Sequence, residues 1–287
     1  MFKKGLFLFL TACLLICSFS LASASGLFSE LNETEYADER LPVLDEVADA
    51  VSVSQTEDAV TVEVSQAYYE GNRVYVSYKA TEQIYEQDGL ELEDGSYMDI
   101  IAGGSVQQED GSIIGWKECI VPEDALADNQ TFCLVYSIPE HKDKRTLSFT
   151  LKHHEFDQFL QGNSPSALYQ ARAVLYMGKV DLKGIVILTS PEQAASWLAW
   201  QEGREGAGTD VISCWNLYQN GKLVSYDLFG ASEVHEDDVT FAVMFPFMED
   251  LSGLSLVPEY SEAGEKTDEA IILEPMDQGC SGTPLMT

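Results

Sequence analysis

A chain of 287 residues, 45% of them hydrophobic, has room for one large or two small domains with a real core. Its 48 acidic residues against 16 basic ones leave a net charge of −32, which argues against nucleic acid and anionic lipid as partners, since both are bound by Lys and Arg neutralising phosphate. Such acidity suits a soluble, monomeric, exported protein.

The chain opens like an export leader. Met1-Phe2-Lys3-Lys4 is a short basic stretch, residues 5–19 are predominantly apolar, and Ala22-Ser23-Ala24 supplies the small residues that a signal peptidase accepts. The expected cut falls between Ala24 and Ser25, removing residues 1–24. The apolar run is short for a membrane span, so none is expected after the leader is removed. Leu10-Thr11-Ala12-Cys13 also resembles a lipobox, which makes Cys13 a candidate for acylation and a lipid-anchored sensor ectodomain an alternative. Leu14, Leu15 and Ile16 follow Cys13 where a polar tether belongs, which favours soluble export.

Residues 25–58 set a run of Glu and Asp against a single Arg40 and read as an acidic linker, with a turn of helix over residues 41–53 as the alternative to a disordered spacer. From residue 59 the pattern becomes β. Val60, Val62 and Val64 alternate with polar residues, as do Val74, Val76 and Tyr78, and Glu70-Gly71-Asn72 between them predicts a hairpin. If the valines point inward, Tyr69 and Tyr75 face outward as candidate partner contacts. Further strand candidates run to residue 153, separated by Gly103-Gly104, Asp110-Gly111 and a polar run at 140–145. About seven short strands without a long helix predict a sandwich of immunoglobulin type over residues 59–155. Cys119 and Cys133 lie in successive strand candidates and are the candidate disulfide of an exported chain; two free thiols are the alternative.

Residues 166–274 repeat the plan. Segments 168–177 and 180–189 flank Met177-Gly178-Lys179, and segments 211–219 and 222–228 flank Asn220-Gly221, the strongest hairpin signal in the chain. One short helix interrupts them, announced by Ser190 as N-cap, Pro191 at the first position and Gln193 at the third. Trp197 and Trp200 share one face of it, either as a pin across the sandwich end or as a stacking platform for a partner such as a sugar. Residues 275–287 read as a flexible tail. The predicted class is therefore all-β: two tandem immunoglobulin-like β-sandwich domains, with one short helix in the second.

No catalytic signature stands out. There is no nucleophile elbow, no zincin helix and no phosphate-binding glycine loop, so the chain reads as a non-enzyme with no cofactor. His153 and His154 are adjacent on a strand and point to opposite faces, badly placed to share a metal. The acidic loop at 88–99 fails the EF-hand pattern, with Leu90 and Leu92 where carboxylates are required.

The wording VEVSQAYYEGNRVYVSYKA at the first hairpin, with the Thr-Ser-Pro that closes residues 187–191 and the segments 254–258 and 269–273, resembles an uncharacterised immunoglobulin-like family of Gram-positive bacterial extracytoplasmic proteins. Members often carry a transmembrane helix and resemble anti-sigma regulators, whereas this chain starts with a leader. The resemblance implies no catalytic residues. The expected function is an exported binding or structural module, secreted or envelope-associated, with a protein or glycan of the cell envelope as partner. A secreted hydrolase of cell-wall or glycan material is the second alternative, beside the lipid-anchored ectodomain.

Overall fold

A computed structural model describes residues 26–34, 38–85, 89–139, 141–166, 169–201, 211–228, 231–235, 237–261 and 264–276. The leader, Cys13, Ala22, Ala24, Ser25 and most of the expected tail lie outside these residues. The chain is mostly β, with antiparallel ladders throughout the named sheets, and divides into two compact units, Met1–Glu155 and Phe156–Thr287.

The first unit does not begin with a linker. Helices α1 (Leu27–Asn32) and α2 (Leu41–Val47) bury Leu27, Phe28, Leu31, Leu41 and Leu44, and strand β1 (Asp49–Glu57) follows. Six- and seven-residue helices are too short to persist alone, so they exist because these few apolar side chains dock. Strands β2 (Val60–Glu70), β3 (Arg73–Ala80), β5 (Asp99–Gln107) and β6 (Ile113–Ile120) complete a sheet in the order β1-β2-β3-β6-β5. A second sheet, β4-β7-β8, is formed by Leu90–Leu92, Asn129–Ile138 and His141–Lys152. The core lies between them: Val62, Val64, Ala67, Val76 and Tyr78 of the first sheet share one cluster with Leu90, Phe132, Leu134, Phe149 and Leu151 of the second.

Turn chemistry explains the hairpins. Glu70 pairs with Arg73 across Gly71-Asn72, and Gly71 has φ 56°, as the first central residue of a tight reversal requires. Between β1 and β2 the two-residue turn is Asp58-Ala59, with φ 49° and 70°, left-handed values adopted here without a glycine.

The second unit repeats this order. Strands β9 (Gln158–Asn163), β10 (Gln170–Met177), β11 (Asp181–Thr189), β14 (Ala231–Val234), β15 (Asp238–Pro246) and β19 (Glu274–Pro275) form the sheet β14-β15-β11-β10-β9-β19. Strands β12 (Ile212–Gln219), β13 (Lys222–Ser225), β16 (Leu254–Tyr260) and β17 (Gly264–Glu265) form β13-β12-β16-β17, and β18 (Ile271–Ile272) also pairs with β16. Strand for strand, β9-β10-β11-β15-β14 matches β1-β2-β3-β6-β5, and β12-β16-β17 matches β4-β7-β8. The expected tail begins later than residue 275, since Pro275 pairs with Leu160 and the Met276 N–H donates to Phe159 O at 2.9 Å.

Helix α3 (Pro191–Gln201) joins β11 to β12 as the sequence predicts. Ser190 Oγ accepts from the Gln193 N–H at 3.3 Å, and Ala194 and Trp197 face a core that also holds Leu175, Val186, Trp215, Leu217, Phe241 and Leu256. Asn220-Gly221 takes φ 50° and 75°, the predicted type I′ reversal.

Candidate functional site

Most side chains expected to meet a partner are buried. Tyr69 and Tyr75 are both fully covered. A bulge at Ser65 changes the pairing step between Val64 and Gln66, so the parity of β2 flips and Tyr69 joins Val62, Val64 and Ala67 on the inner face. Tyr75 points to the outer face as expected, but α1 and α2 lie over that face. Trp197 is buried with its indole N–H donating to Ile212 O at 2.8 Å, while Trp200 stands edge-on to it with ring centres 4.9 Å apart and is exposed. The pair is a pin carrying one outward-facing ring.

Cys119 and Cys133 are separate thiols. Cys119 faces the core, whereas Cys133 lies between the inward Phe132 and Leu134 and therefore points out of its sheet, where it contacts Ser148 Oγ at 3.3 Å. Opposite orientations prevent the expected disulfide without backbone movement.

The outer face beneath α1 and α2 holds a charged anchor. Arg40 donates to Glu118 and, at 2.8 Å, to Asp38, with its guanidinium carbon 5.5 Å from the centre of the Trp116 ring. Burial opposes charge on Arg40, but the hydrogen bond to Asp38 and the charge of Glu118 outweigh it and hold the guanidinium protonated. Arg73 approaches the other Glu118 oxygen at 3.9 Å. Asp45 adds a second tie, accepting from Ser29 at 2.8 Å and from Gln66 at 3.2 Å.

In the second unit, Cys214, Asn216 and Tyr218 share one face of β12. Asn216 Nδ2 donates to Glu259 and to Glu265 at 2.9 Å each, so the two accepting oxygens lie no more than twice that distance apart. Tyr218 donates to the other Glu265 oxygen, and Cys214 Sγ donates to Glu259 at 3.3 Å. Burial, with the Glu259 hydrogen bond, pushes the Cys214 thiol up to about 12, so it stays protonated and is no nucleophile at neutral pH. The Glu265 hydrogen bond, with burial second, pushes the Tyr218 phenol to about 12. A second tie joins Tyr169 and Tyr260, both donating to Glu269 at 2.8 and 2.7 Å. These carboxylates are engaged by their neighbours in fixed arrangements.

His153 and His154 lie on opposite faces, as their adjacent positions predict. His153 packs on the inward Tyr69 and bonds Gly71 O at 2.8 Å, while His154 stacks on the outward Tyr68. Among the described residues no three His, Cys, Asp or Glu side chains are grouped to hold a metal, and no helix is long and apolar enough to cross a membrane.

Apolar exposure is concentrated. Among the described residues, six of the eleven exposed large apolar side chains lie in, or on the strand beside, the segment where the chain leaves the smaller sheet of its unit and crosses to the larger. In the first unit these are Tyr97 (52% exposed), between β4 and β5, and Ile100 near the start of β5; in the second they are Leu223 and Val224 on β13, and Tyr226 (63% exposed) and Leu228 between β13 and β14. The alternation of residues 222–228 predicts a half-buried strand, but the ladder ends at Ser225 after a bulge. Nothing in that alternation marks its apolar side chains as exposed; the place of β13 at a sheet edge and the crossing after it do.

No protein-family model and no curated protein matches the chain. Among solved structures it is similar to a conserved domain protein from Bacillus anthracis, with 12% identity and a TM-score of 0.51 over 81% of this chain and 91% of that one. At that identity the likeness shows the fold alone.

Proposed function

We propose that this chain is an exported, non-catalytic binding module made of two immunoglobulin-like sandwiches, acting on a protein or glycan partner at the cell envelope or outside it. The immunoglobulin reading draws on strand order: β2-β3-β6-β5 over β4-β7-β8, and β10-β11-β15-β14 over β12-β16-β17, follow the constant-type arrangement, each with a further strand paired to its first. The binding reading rests on one observation, the exposure of large apolar residues at the same crossing in both units.

The test is capture from envelope fractions by the immobilised chain, with and without calcium, beside variants Tyr97→Ser and Tyr226→Ser. Capture that weakens in either variant supports the reading. No capture, or capture indifferent to both substitutions, removes it. Recovery in the membrane fraction that disappears on Cys13→Ala separates a lipid anchor from free export.

A further inference from the structure

We propose that the free edge of β5 is a strand-addition site for an extended segment of another protein that carries basic residues at both ends; this rests on the binding-module reading and names its partner chemistry. The two edges of the first sheet are treated differently. At the β1 edge, Arg145 of β8 reaches across to Glu57 and Asp58, closing that side. At the other, β5 ends the sheet; like β1 it has no buried residue, but no salt bridge among the described residues ties it to the second sheet.

Edge strands are normally blunted by Lys, Pro or covering segments. Between Asp99 and Glu109 the sequence IIAGGSVQQ has no charge and no proline. The Gln108 N–H donates to Ser112 O at 2.7 Å, so Gln108 turns its backbone toward β6. Counting back by the antiparallel alternation, Gln107, Ser105 and Gly103 direct their N–H and C=O groups away from β6, offering a ladder to a new strand. The shift in register is confined to Ile100–Ala102 and Gly103 takes φ 153°, so Ser105 and Gln107 carry the regular part of the outward ladder.

Charge selects the occupant. Asp99 stands at one end of the uncharged run, and Glu109 and Asp110 stand at the other, all exposed. A second copy of this chain paired through β5 would set carboxylates against carboxylates, in parallel or antiparallel register alike. A strand with Lys or Arg about ten residues apart, and an uncharged middle, meets both ends. Main-chain bonds would supply affinity and the flanking charges orientation, as in other cases of β-augmentation.

The test uses the full chain and three synthetic peptides of alternating Val and Thr: one with lysine at both ends, one with glutamate at both ends, and the lysine form N-methylated at alternate amides. Titration by NMR or calorimetry is expected to show binding of the lysine form only, weakening as salt rises. Asp99→Lys with Glu109→Lys should weaken that peptide by about tenfold and reverse the preference toward glutamate. Ser105→Pro removes an outward N–H without touching the β6 ladder and should abolish binding at an unchanged melting temperature. If that variant unfolds, the N-methylated peptide still tests the ladder. No binding of the lysine peptide, binding that survives N-methylation, or dimerisation through β5 in its place overturns the proposal. An envelope partner that still binds Ser105→Pro overturns strand addition and leaves the binding-module reading standing. Peptide binding without any envelope partner has the opposite consequence.

Discussion

Arg40 is the lone base of an acidic segment, and its partner Glu118 comes from a strand 78 residues later. Removing one member of a buried pair leaves an uncompensated charge, which costs far more than removing both. Arg40→Ala should therefore lower stability by about 3–5 kcal/mol in urea denaturation, and adding Glu118→Leu should not recover the loss, because it takes the carboxylate from the buried Arg73. Three other residues set an alkaline limit. Cys119 is pushed up to about 11 by burial, Cys214 and Tyr218 to about 12, against ordinary values of 9 for the thiols and 10 for the phenol. A folded-state value raised above the unfolded one contributes stability that is complete below the unfolded value and is lost as pH rises through the folded one. The urea midpoint should be independent of these groups up to about pH 9 and fall from there toward about pH 12, less steeply in Cys214→Ala. A midpoint flat across that window would show that these groups are equally acidic in the unfolded chain.

At the scale of elements, legibility followed how local each signal is. Strands β2, β3, β10, β11 and β12 were readable because alternation and turn residues act within a few positions, and α3 because its cap lies in Ser190, Pro191 and Gln193. Helix α1 was hidden in an acidic run, and α2 showed only as a turn of helix set aside for a spacer, since Phe28, Leu31, Leu41 and Leu44 become a pattern only when docked on a sheet. The Asp58-Ala59 turn was missed for a related reason: no glycine marks it. Holding Ala59 at φ 70° costs about 1 kcal/mol relative to glycine, so Ala59→Gly should raise the denaturation midpoint by that order. An unchanged or lowered midpoint would mean that the added freedom of the unfolded glycine cancels the relieved strain.

For the whole molecule, each unit has its own two-sheet core, one around Val76, Phe132 and Leu134 and the other around Trp215, Phe241 and Leu256. Fragments 26–155 and 156–276, expressed separately, should each melt cooperatively with a β-type circular dichroism spectrum; failure of either to fold would show that its core is incomplete alone. By itself the sequence determined the strand-rich class, the repeated hairpin openings, the Asn220-Gly221 reversal and the capped helix, because periodicity, left-handed turn residues and caps are short-range constraints. Tertiary structure alone decided which side chains were available to a partner. One bulge at Ser65 turned Tyr69 inward, two docked helices covered Tyr75, and strand parity set Cys119 and Cys133 on opposite sides of their sheets. Exposure depends on what packs from elsewhere in the chain, and local sequence pattern does not contain that information.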